Sequence, residues 1–506
     1  MKKYFNKAIV ASGHRLVSEA GATILSAGGN AFDAVVAAGL ASTVVEQTLT
    51  SLGGGGYLLG YSGAEGQSLL FDFFVDTPGR GRGAAVGSPH FFPVTVQFAG
   101  APQIFNIGLG AVAVPGVAKG LLHTHRRLGR MPLAEVAAPA IDYARGHRLN
   151  RFQASFLRLL HPIVTRTETG RSLYGCQKTF VGEGDRLENH ELAFFLEMLV
   201  EDGGESFYRG DIAAAMVREM KENGGLLTAE DLEAYRVIER RPLRLNYRDK
   251  LFLTCPPPSM GGPLIALSLK LYAACSRPDF PWGGREHLLQ TVTIMREVDS
   301  LRRRGILSPE HLQSPEAEEV ARSLAAVRRF SRGTTHISIA DKEGNCAAMT
   351  CSNGEGCGWF APGTGVMLNN MMGEDDLHPD GFHTAPAGER VASMMAPSML
   401  LDEDGVRLVL GSGGSKRIRT AITQVLSQVL DFERGLQQAV VAPRLYWDGE
   451  CLQVEPGFDR KVLQSLDMEM NIWQAPDVYF GGVHAVIPGR EGAGDPRRGG
   501  CVVEVK

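Results

Sequence analysis

The stretch GTTHISIADKEGNCAAMTCSN, residues 333–353, predicts a β-hairpin. Its first arm alternates in the manner of a strand, the turn-forming residues KEGN follow, and the second arm returns as another strand. If the arms are symmetric about the turn, Ala340 faces Cys346 and Thr334 faces Ser352. Cross-strand neighbours have Cβ atoms about 5 Å apart. The Ser352 hydroxyl is therefore expected close enough to orient the Thr334 hydroxyl.

Thr334 is a candidate nucleophile. A threonine hydroxyl is a weak nucleophile at pH 7 and needs a base beside it. Its own α-amine would serve, because a reference pKa of about 7.7–8.0 leaves a neutral fraction. Thr334 owns such an amine only if the Gly333–Thr334 bond is broken, and Gly333 puts no side chain in the way of attack on its carbonyl. The residues alone leave a second interpretation, in which the Thr-Thr pair only favours a strand.

Motifs along nearly the whole chain resemble those of the γ-glutamyltranspeptidase family of N-terminal nucleophile hydrolases. They occur in family order: GGNAFDA (28–34), GGGG (53–56), VPG (114–116), PPPS (256–259), GTTH (333–336), PGTG (362–365), LNN (368–370), GSGGS (411–415) and APR (442–444). The family's nucleophile is the first threonine of the Thr-Thr-His run, which is Thr334. The resemblance implies self-cleavage into segments 1–333 and 334–506 that form one folded unit, an α+β fold built as an αββα four-layer sandwich.

The wider pattern is helix-rich before Gly333 and strand-rich after it. The segments that carry this prediction are a helical region broken at Gly28-Gly29-Asn30 (16–46), a buried strand (69–74), a helix-rich region (120–274), strands (365–368, 398–401, 406–410) and a helix (418–432). Apolar residues 94–98 favour another buried strand over a membrane span. Residues 296–332 are densely charged and contain Ser-Pro breaks, which predicts either a solvated connector before the cleavage site or a pair of surface helices.

Composition excludes several classes of function. The 506 residues carry a net charge of -4, and no basic stripe would recruit nucleic acid or an anionic membrane. The basic N-terminus is not followed by the apolar run of a secretory signal, so a cytoplasmic location is expected. The eight cysteines show no Cys-x-x-Cys spacing, which argues against a zinc or redox motif, and they are expected to be reduced. Cys351 and Cys357 bracket a Gly-rich turn, where metal ligands or a disulfide are the alternatives to the small buried thiols expected here. No metal or organic cofactor is implied.

The glycine loop GSGGS (411–415) lies between a predicted strand and a predicted helix, an arrangement that aims backbone N–H groups at an anion. Neither nucleotide-phosphate spacing of glycines is present, so a phosphate-loop enzyme is the most distant interpretation, and a plain tight turn is the simplest. An oxyanion hole needs only two N–H groups near the developing charge. The resemblance implies that Gly413 and Gly414 supply them.

The hydroxyl that supports the nucleophile has two candidates. The chain is about two residues shorter here than its relatives, so matching the family pattern from the left gives Ser352 and from the right gives Thr350. The hairpin register favours Ser352. The resemblance also implies that the Asn353 amide lies near the nucleophile.

Residues beyond the hairpin are implied to bind the substrate. The acid that holds a substrate ammonium group in the family falls on Glu374, where relatives commonly carry aspartate, with Asp375 as the alternative. Relatives place two adjacent serines against the substrate carboxylate, and this chain keeps the first as Ser393 but has Met394 at the second.

The main departure from the family lies at Phe74. Family members carry an arginine there that binds the substrate α-carboxylate, and Phe74 cannot. Arg80 and Arg82 are near in sequence and are candidate substitutes.

The sequence therefore predicts a self-processing amide hydrolase or acyltransferase acting on γ-glutamyl or related amides, with water or an amine as acceptor. Its two segments would associate as a heterodimer, alone or as a dimer of heterodimers. Weak turnover of glutathione is expected. The alternative is a non-catalytic family member that binds amino-acid-like ligands.

Overall fold

The computed structural model describes residues 5–82, 88–97, 102–176, 179–275, 278–303, 333–375, 377–378 and 381–506. Their strands, in chain order, are β1 (Ala8–Ser12), β2 (Gly55–Ser62), β3 (Gln67–Phe73), β4 (Phe92–Gln97), β5 (Pro102–Ile107), β6 (His147–Arg148), β7 (Arg186–Leu187), β8 (Ile238–Arg240), β9 (Leu243–Tyr247), β10 (Lys250–Thr254), β11 (Thr335–Ala340), β12 (Cys346–Ser352), β13 (Phe360–Ala361), β14 (Val366–Met367), β15 (Ser398–Asp402), β16 (Gly405–Gly413), β17 (Leu445–Trp447), β18 (Leu452–Val454), β19 (Met470–Ile472), β20 (Gly482–Ile487), β21 (Glu491–Ala493) and β22 (Cys501–Val505).

The α-helices of the described residues alternate with these strands. In chain order they are α1 (Arg15–Ser26), α2 (Ala31–Val45), α3 (Val117–Leu128), α4 (Leu133–Arg145), α5 (Arg151–Leu159), α6 (His161–Val164), α7 (Glu168–Tyr174), α8 (His190–Asp202), α9 (Glu205–Tyr208), α10 (Asp211–Glu222), α11 (Ala229–Ala234), α12 (Gly261–Ala274), α13 (Arg285–Arg303), α14 (Arg417–Leu430), α15 (Leu436–Val441) and α16 (Arg460–Gln464).

Two antiparallel sheets form the centre of the fold. The first has seven strands in the order β22-β1-β11-β12-β2-β3-β8, and the second has six in the order β21-β20-β16-β15-β10-β9. Side chains of both sheets, such as Tyr57 and Leu59 from β2 and Val409 from β16, share one buried cluster. The sheets therefore face each other across a common core, as expected of stacked sheets.

Helices cover the outer faces of both sheets. α2 packs on β11 and β12 of the first sheet, whereas α12 and α14 pack on the second. Separate apolar clusters fill the helix–sheet spaces on the two sides. The order helix, sheet, sheet, helix is the four-layer αββα sandwich expected from the sequence, and each sheet contains strands from both sides of Gly333.

The predicted break between the first two helices is present and has a clear local cause. Asn30 caps α2 by accepting hydrogen bonds from the backbone of Phe32 and Asp33, while the Asp33 side chain accepts from the Asn30 N–H. This reciprocal capping box satisfies donors that a helix start leaves open. Every residue of α2 is buried, which fixes its C-terminal end at Glu46 beneath the first sheet.

One sequence expectation needs correction, and another lies largely outside the described residues. Residues 296–303 belong to α13, as the helical alternative for this segment predicts, while residues 304–332 lie outside the described part of the chain. Residues 92–97 form β4, whose side chains are mostly exposed or half-buried because β4 pairs only with β5 in a separate two-stranded sheet. None of the helices in the described part of the chain has the length and apolar character of a membrane-spanning segment.

Candidate active site

The hairpin has the register predicted from its sequence. Ala340 pairs with Cys346 and Thr335 with Cys351, so the next position outward sets Thr334 opposite Ser352. A single backbone oxygen, the carbonyl of Gly333, accepts hydrogen bonds from both of their hydroxyls. The Thr334 Oγ1–Gly333 O distance is 2.5 Å, and Ser352 Oγ donates to the same oxygen. The Ser352 hydroxyl thus polarises this carbonyl, and the Thr334 hydroxyl lies within reach of it.

Gly333 lies in a tight enclosure. A Cβ at this position would be 1.8 Å from the carbonyl oxygen of Gly354, so only glycine fits. The Gly333 N–H donates to Glu355 Oε1 at 3.1 Å, and Glu355 is buried. The Gly354 N–H in turn donates to Ser352 Oγ at 3.0 Å. The Gly333–Thr334 bond is thus held on its acyl side by the loop that follows β12.

The glycine loop lies against the backbone of Thr334. β16 ends at Gly413, where a Cβ would be 2.3 Å from the carbonyl oxygen of Thr334. Gly414 follows with φ of +120°, a conformation that L side chains rarely adopt. Arg498 Nη1 donates to the same Thr334 oxygen at 3.0 Å. The structure therefore brings the predicted glycine pair to the predicted nucleophile, with the strand, loop and helix in the expected order.

Glu46 is a buried carboxyl group beside the nucleophile. Thr335 Oγ1 donates to Glu46 Oε2 at 2.9 Å, and a Cβ at Gly13 would be 2.9 Å from Glu46 Oε1. Burial raises the pKa of Glu46 to about 7, although the Thr335 hydrogen bond and the charge of Arg498 oppose that shift. Burial likewise lowers the pKa of Arg498 to about 10. No signal in the sequence indicated Glu46 or Arg498.

The structure separates the two candidate supporting hydroxyls. Thr350 Oγ1 lies 2.7 Å from His336 Nδ1, two residue pairs further along the hairpin, whereas Ser352 contacts Gly333. Burial lowers the pKa of His336 well below its usual value. Asn353 is buried, but its amide oxygen accepts from Ser51 Oγ at 2.7 Å and its amide nitrogen faces backbone carbonyls. In this arrangement the Asn353 side chain fixes the loop and does not contact Thr334.

The residues implied to bind the substrate lie in different surroundings in the structure. Glu374 is buried, and its Oε1 would be 2.4 Å from a Cβ at Gly354, which places its carboxylate directly behind the enclosure of Gly333. Asp375 is more exposed. Ser393 lies further along the chain, where its Oγ accepts from the Met395 N–H at 3.1 Å. Met394 packs in the apolar cluster between the second sheet and its helices.

Phe74 occupies a fully apolar position. Its ring stacks on Tyr57 with centroids 5.8 Å apart, and its ring carbon Cδ2 would lie 2.9 Å from a Cβ at Gly55, the residue paired with Ser352. Arg80 and Arg82, the candidate substitutes for the missing arginine, donate to the carbonyls of Gly388 and Gly225.

Arg390 is a buried guanidinium that the sequence analysis missed. It lies 3.1 Å from Asp72 and 2.8 Å from Asp76, and it donates to the carbonyl of Phe74 and to the Tyr235 hydroxyl. Burial raises the pKa of Asp76 to about 6, against the opposing charge of Arg390. Arg390 therefore neutralises two acids of the chain itself.

Among the described residues, no group of three or more His, Cys, Asp or Glu side chains is placed to hold a metal ion. All eight cysteines, each of them described, are free thiols; Cys351 and Cys357 are buried, whereas Cys176 and Cys275 are exposed.

Comparison with known proteins gives consistent matches along the chain. The family model described as gamma-glutamyltranspeptidase matches residues 17–315 and 284–505. An Acylase ACY 1 proenzyme of Pseudomonas sp. (strain V22) is 31% identical over 91% of this chain and 86% of its own length. A Glutathione hydrolase proenzyme of Escherichia coli (strain K12) is 29% identical over 97% and 90%. The crystal structure of a cephalosporin acylase from Bacillus halodurans superposes with a TM-score of 0.83 at 26% identity, covering 99% of this chain and 96% of that one.

Proposed function

The chain belongs to the γ-glutamyltranspeptidase family, and we propose that its working form arises by cleavage of its own Gly333–Thr334 bond. Membership makes it an enzyme, a γ-glutamyltranspeptidase-like amide hydrolase or acyltransferase, rather than a non-catalytic binding protein. The observation that carries the proposal is the pair of hydroxyls, from Thr334 and Ser352, on the Gly333 carbonyl. The names of the relatives, which are proenzymes, support it.

Cleavage would proceed through an ester. The Thr334 hydroxyl attacks the Gly333 carbonyl carbon, the C–N bond breaks, and the proton passes from the hydroxyl to the departing nitrogen of Thr334. Water then hydrolyses the ester, leaving a carboxylate on Gly333 and a free α-amine on Thr334. The products are the segments 1–333 and 334–506.

The same hydroxyl would then serve in turnover. The Thr334 α-amine accepts the hydroxyl proton as the oxygen attacks a substrate amide, and it returns that proton to the leaving amine. The N–H groups of Gly413 and Gly414 would stabilise the oxyanion, a contribution of about 3–4 kcal/mol per donor in well-studied enzymes. Water or an amine resolves the acyl-enzyme, so the reaction is hydrolysis or transfer.

Two variants test the nucleophile. Wild-type protein should convert from one band of 54.6 kDa to two bands on a denaturing gel, whereas Thr334→Ala should stay whole and inactive. Thr335→Ser is the matched control, since it changes the neighbouring threonine but keeps a hydroxyl for Glu46, and it should still cleave. Wild-type protein that stays intact and is nevertheless active would exclude Thr334 as the nucleophile.

We further propose that the acyl group of the substrate carries an amine but no carboxylate like that of γ-glutamyl. Phe74 and Met394 replace two groups that would bind that carboxylate, and Arg390 is neutralised by Asp72 and Asp76. Losing a charge-assisted hydrogen bond costs about 1.5–3 kcal/mol, roughly tenfold to hundredfold in affinity. The acylase names of two relatives support an acyl group other than γ-glutamyl.

Steady-state kinetics test this substrate class. γ-Glutamyl-p-nitroanilide and glutathione should be turned over weakly beside a panel of uncharged acyl p-nitroanilides. Efficient γ-glutamyl turnover with a KM below about 1 mM, within the ordinary enzyme range, would show that another cation binds the carboxylate.

A further inference from the structure

The uncleaved chain contains an acyl group of its own at the site. In the ester formed during self-cleavage, the Gly333 acyl group is attached to the Thr334 oxygen, which is the same linkage as a substrate acyl-enzyme. We take the Cα and nitrogen of Gly333 to mark the place of the first atoms of a bound acyl group, although the Gly333 carbonyl oxygen contacts Ser352 and Thr334 rather than the glycine loop. This inference rests on the proposed self-cleavage through Thr334.

The carbon next to the scissile carbonyl has no room for a branch. At Gly333 an L-configured Cβ would lie 1.8 Å from the carbonyl oxygen of Gly354, which is a backbone atom. The Gly354 N–H donates to Ser352 Oγ at 3.0 Å, and this hydrogen bond holds the obstructing backbone in place. An acyl group with a methylene at this carbon fits, whereas an L-branched one overlaps the backbone.

The next atom of the acyl group meets a carboxylate. In Gly333 this atom is the backbone nitrogen, whose N–H donates to Glu355 Oε1 at 3.1 Å. Glu355 is buried, and its own N–H donates to Asn370 Oδ1 at 3.0 Å, which fixes the backbone that carries the carboxylate. The Glu374 carboxylate adds negative charge behind Gly354. A buried carboxylate strongly favours a hydrogen-bond donor over a methylene at this position.

We propose that the acyl site selects glycyl-type acyl groups, unbranched at the carbon beside the scissile carbonyl and carrying an N–H or ammonium group on it, and that Glu355 binds this nitrogen. A γ-glutamyl group has a methylene where Gly333 has its nitrogen, and its amine lies two carbons further away. It would leave Glu355 facing a methylene, which agrees with the weak γ-glutamyl turnover expected above.

Three p-nitroanilides of matched size separate the two requirements in the self-cleaved enzyme. Glycyl-p-nitroanilide has the nitrogen and no branch, propionyl-p-nitroanilide replaces the nitrogen by a methyl group, and L-alanyl-p-nitroanilide adds the branch. We expect kcat/KM for the glycyl compound to exceed that for the propionyl compound by about tenfold to hundredfold. The L-alanyl compound should show no measurable turnover.

The variant Glu355→Gln tests the assigned residue, because it keeps the shape and an acceptor oxygen but removes the charge. The glycyl-to-propionyl ratio of kcat/KM should fall by about tenfold or more, mainly through weaker binding of the ammonium group. A fall in both substrates alike, with the ratio unchanged, would indicate a merely structural role and overturn the proposal.

The glycyl preference and the proposed self-cleavage fail on different results. A self-cleaved enzyme that prefers the L-alanyl or propionyl compound, or acts only on other acyl groups, overturns the glycyl inference and leaves the proposed function intact. Wild-type protein that never cleaves at Gly333–Thr334 overturns both. If Glu355→Gln does not cleave itself, the wild-type ratios for the three anilides still decide the acyl preference.

Discussion

At the scale of single residues, the Gly333 carbonyl is the point on which the chemistry depends. A backbone carbonyl is a poor electrophile, and the Ser352 hydroxyl can compensate by stabilising negative charge on its oxygen while the Thr334 oxygen attacks the carbon. The Glu355 carboxylate holds the acyl side and Arg498 holds the Thr334 carbonyl on the other side. The bond proposed to break is thus held on both sides, which would lower the entropic part of the barrier.

The main effect of removing the Ser352 hydroxyl should be slower self-cleavage, with only a smaller effect on the free energy of unfolding. Ser352→Ala leaves Thr334 as the sole hydroxyl donor to the Gly333 oxygen among the described residues. The loss of one oxyanion-type donor is worth about 10²–10³ in rate. The rate of self-cleavage is measured as a time course on denaturing gels. The time course starts from protein purified under conditions in which cleavage does not proceed, or it follows cell-free synthesis.

Thr350→Ser is the matched control for that variant. It keeps a hydroxyl for His336, so cleavage should proceed at close to the wild-type rate. A severe cleavage defect in Thr350→Ala combined with normal cleavage in Ser352→Ala would instead assign the supporting role to Thr350.

Glu46 should give the protein a distinctive dependence of stability on pH. Its pKa is raised from 4.5 to about 7 by burial, so the folded state binds a proton more tightly than the unfolded state. The stabilising contribution of that proton is complete below about pH 4.5 and is lost as pH rises through about 7, amounting to about 3 kcal/mol at 1.36 kcal/mol per pKa unit. Glu46→Gln keeps an acceptor for Thr335 but cannot titrate.

The measurement compares melting temperatures at pH 5 and pH 8 in a Thr334→Ala background, where the chain stays whole and unfolding remains unimolecular. The chain that also carries Glu46→Gln should gain stability relative to its parent as pH rises from 5 to 8. Both proteins contain the same buried histidines, such as His484, whose pKa is lowered to about 4 by burial. The difference between the two proteins therefore cancels the titration of these histidines. A pH-independent difference between the two proteins would mean that Glu46 ionises normally.

At the scale of secondary structure elements, Arg390 links the end of β3 to the segment before β15. It lies against Asp72 and Asp76 and donates to the carbonyl of Phe74. Replacing it with methionine would leave buried acids without this partner, which typically costs about 3–5 kcal/mol. Asp72 keeps Arg240 at 2.7 Å, so Asp76 would carry most of the effect.

Arg390→Met should therefore lower the melting temperature, and more at pH 8 than at pH 5. The raised pKa of Asp76, about 6, rises further without Arg390, so its proton relieves the cost at low pH. Arg82→Met is the control, because Arg82 is exposed and donates to one backbone carbonyl. Equal decreases in melting temperature for the two substitutions would show that Arg390 does not stabilise the fold by pairing with the buried acids.

The sequence predicts local elements well and distant contacts poorly. The register of Thr334 and Ser352 follows from counting residues on either side of one turn, and the break before α2 follows from the Asn30 cap. Glu46 and Thr335 are 289 positions apart, and Asp72 and Arg390 are 318 apart. Such contacts depend on how two sheets and their helices stack. None of these four residues lies in a local sequence pattern that indicates its partner.

The site prediction shows the same limit. The family resemblance implied the glycine pair, in a strand, loop and helix that are continuous in sequence, and Gly413 lies against the Thr334 carbonyl. The direction of the Asn353 side chain depends instead on Ser51, which comes from another part of the chain.

At the scale of the whole molecule, cleavage after Gly333 would divide both sheets without separating their strands. β11 and β12 would belong to the second segment, yet they lie between β1 and β2 of the first, and β9 and β10 of the first segment complete the second sheet. Ladders of backbone hydrogen bonds and the shared core between the sheets would hold the two polypeptides together. Separating them would require breaking each ladder and exposing that core to water.

The cleaved protein should therefore behave as one particle until it unfolds. Gel filtration in native buffer should show both polypeptides in a single peak at 54.6 kDa or a multiple of it, and the same fractions should give two bands on a denaturing gel. In increasing denaturant the two polypeptides should separate only as the far-UV circular dichroism is lost, because the interface is the sheet structure itself. Separate elution of folded segments in native buffer would contradict this, since each segment alone lacks some of the strands of both sheets and has exposed edges and an open core.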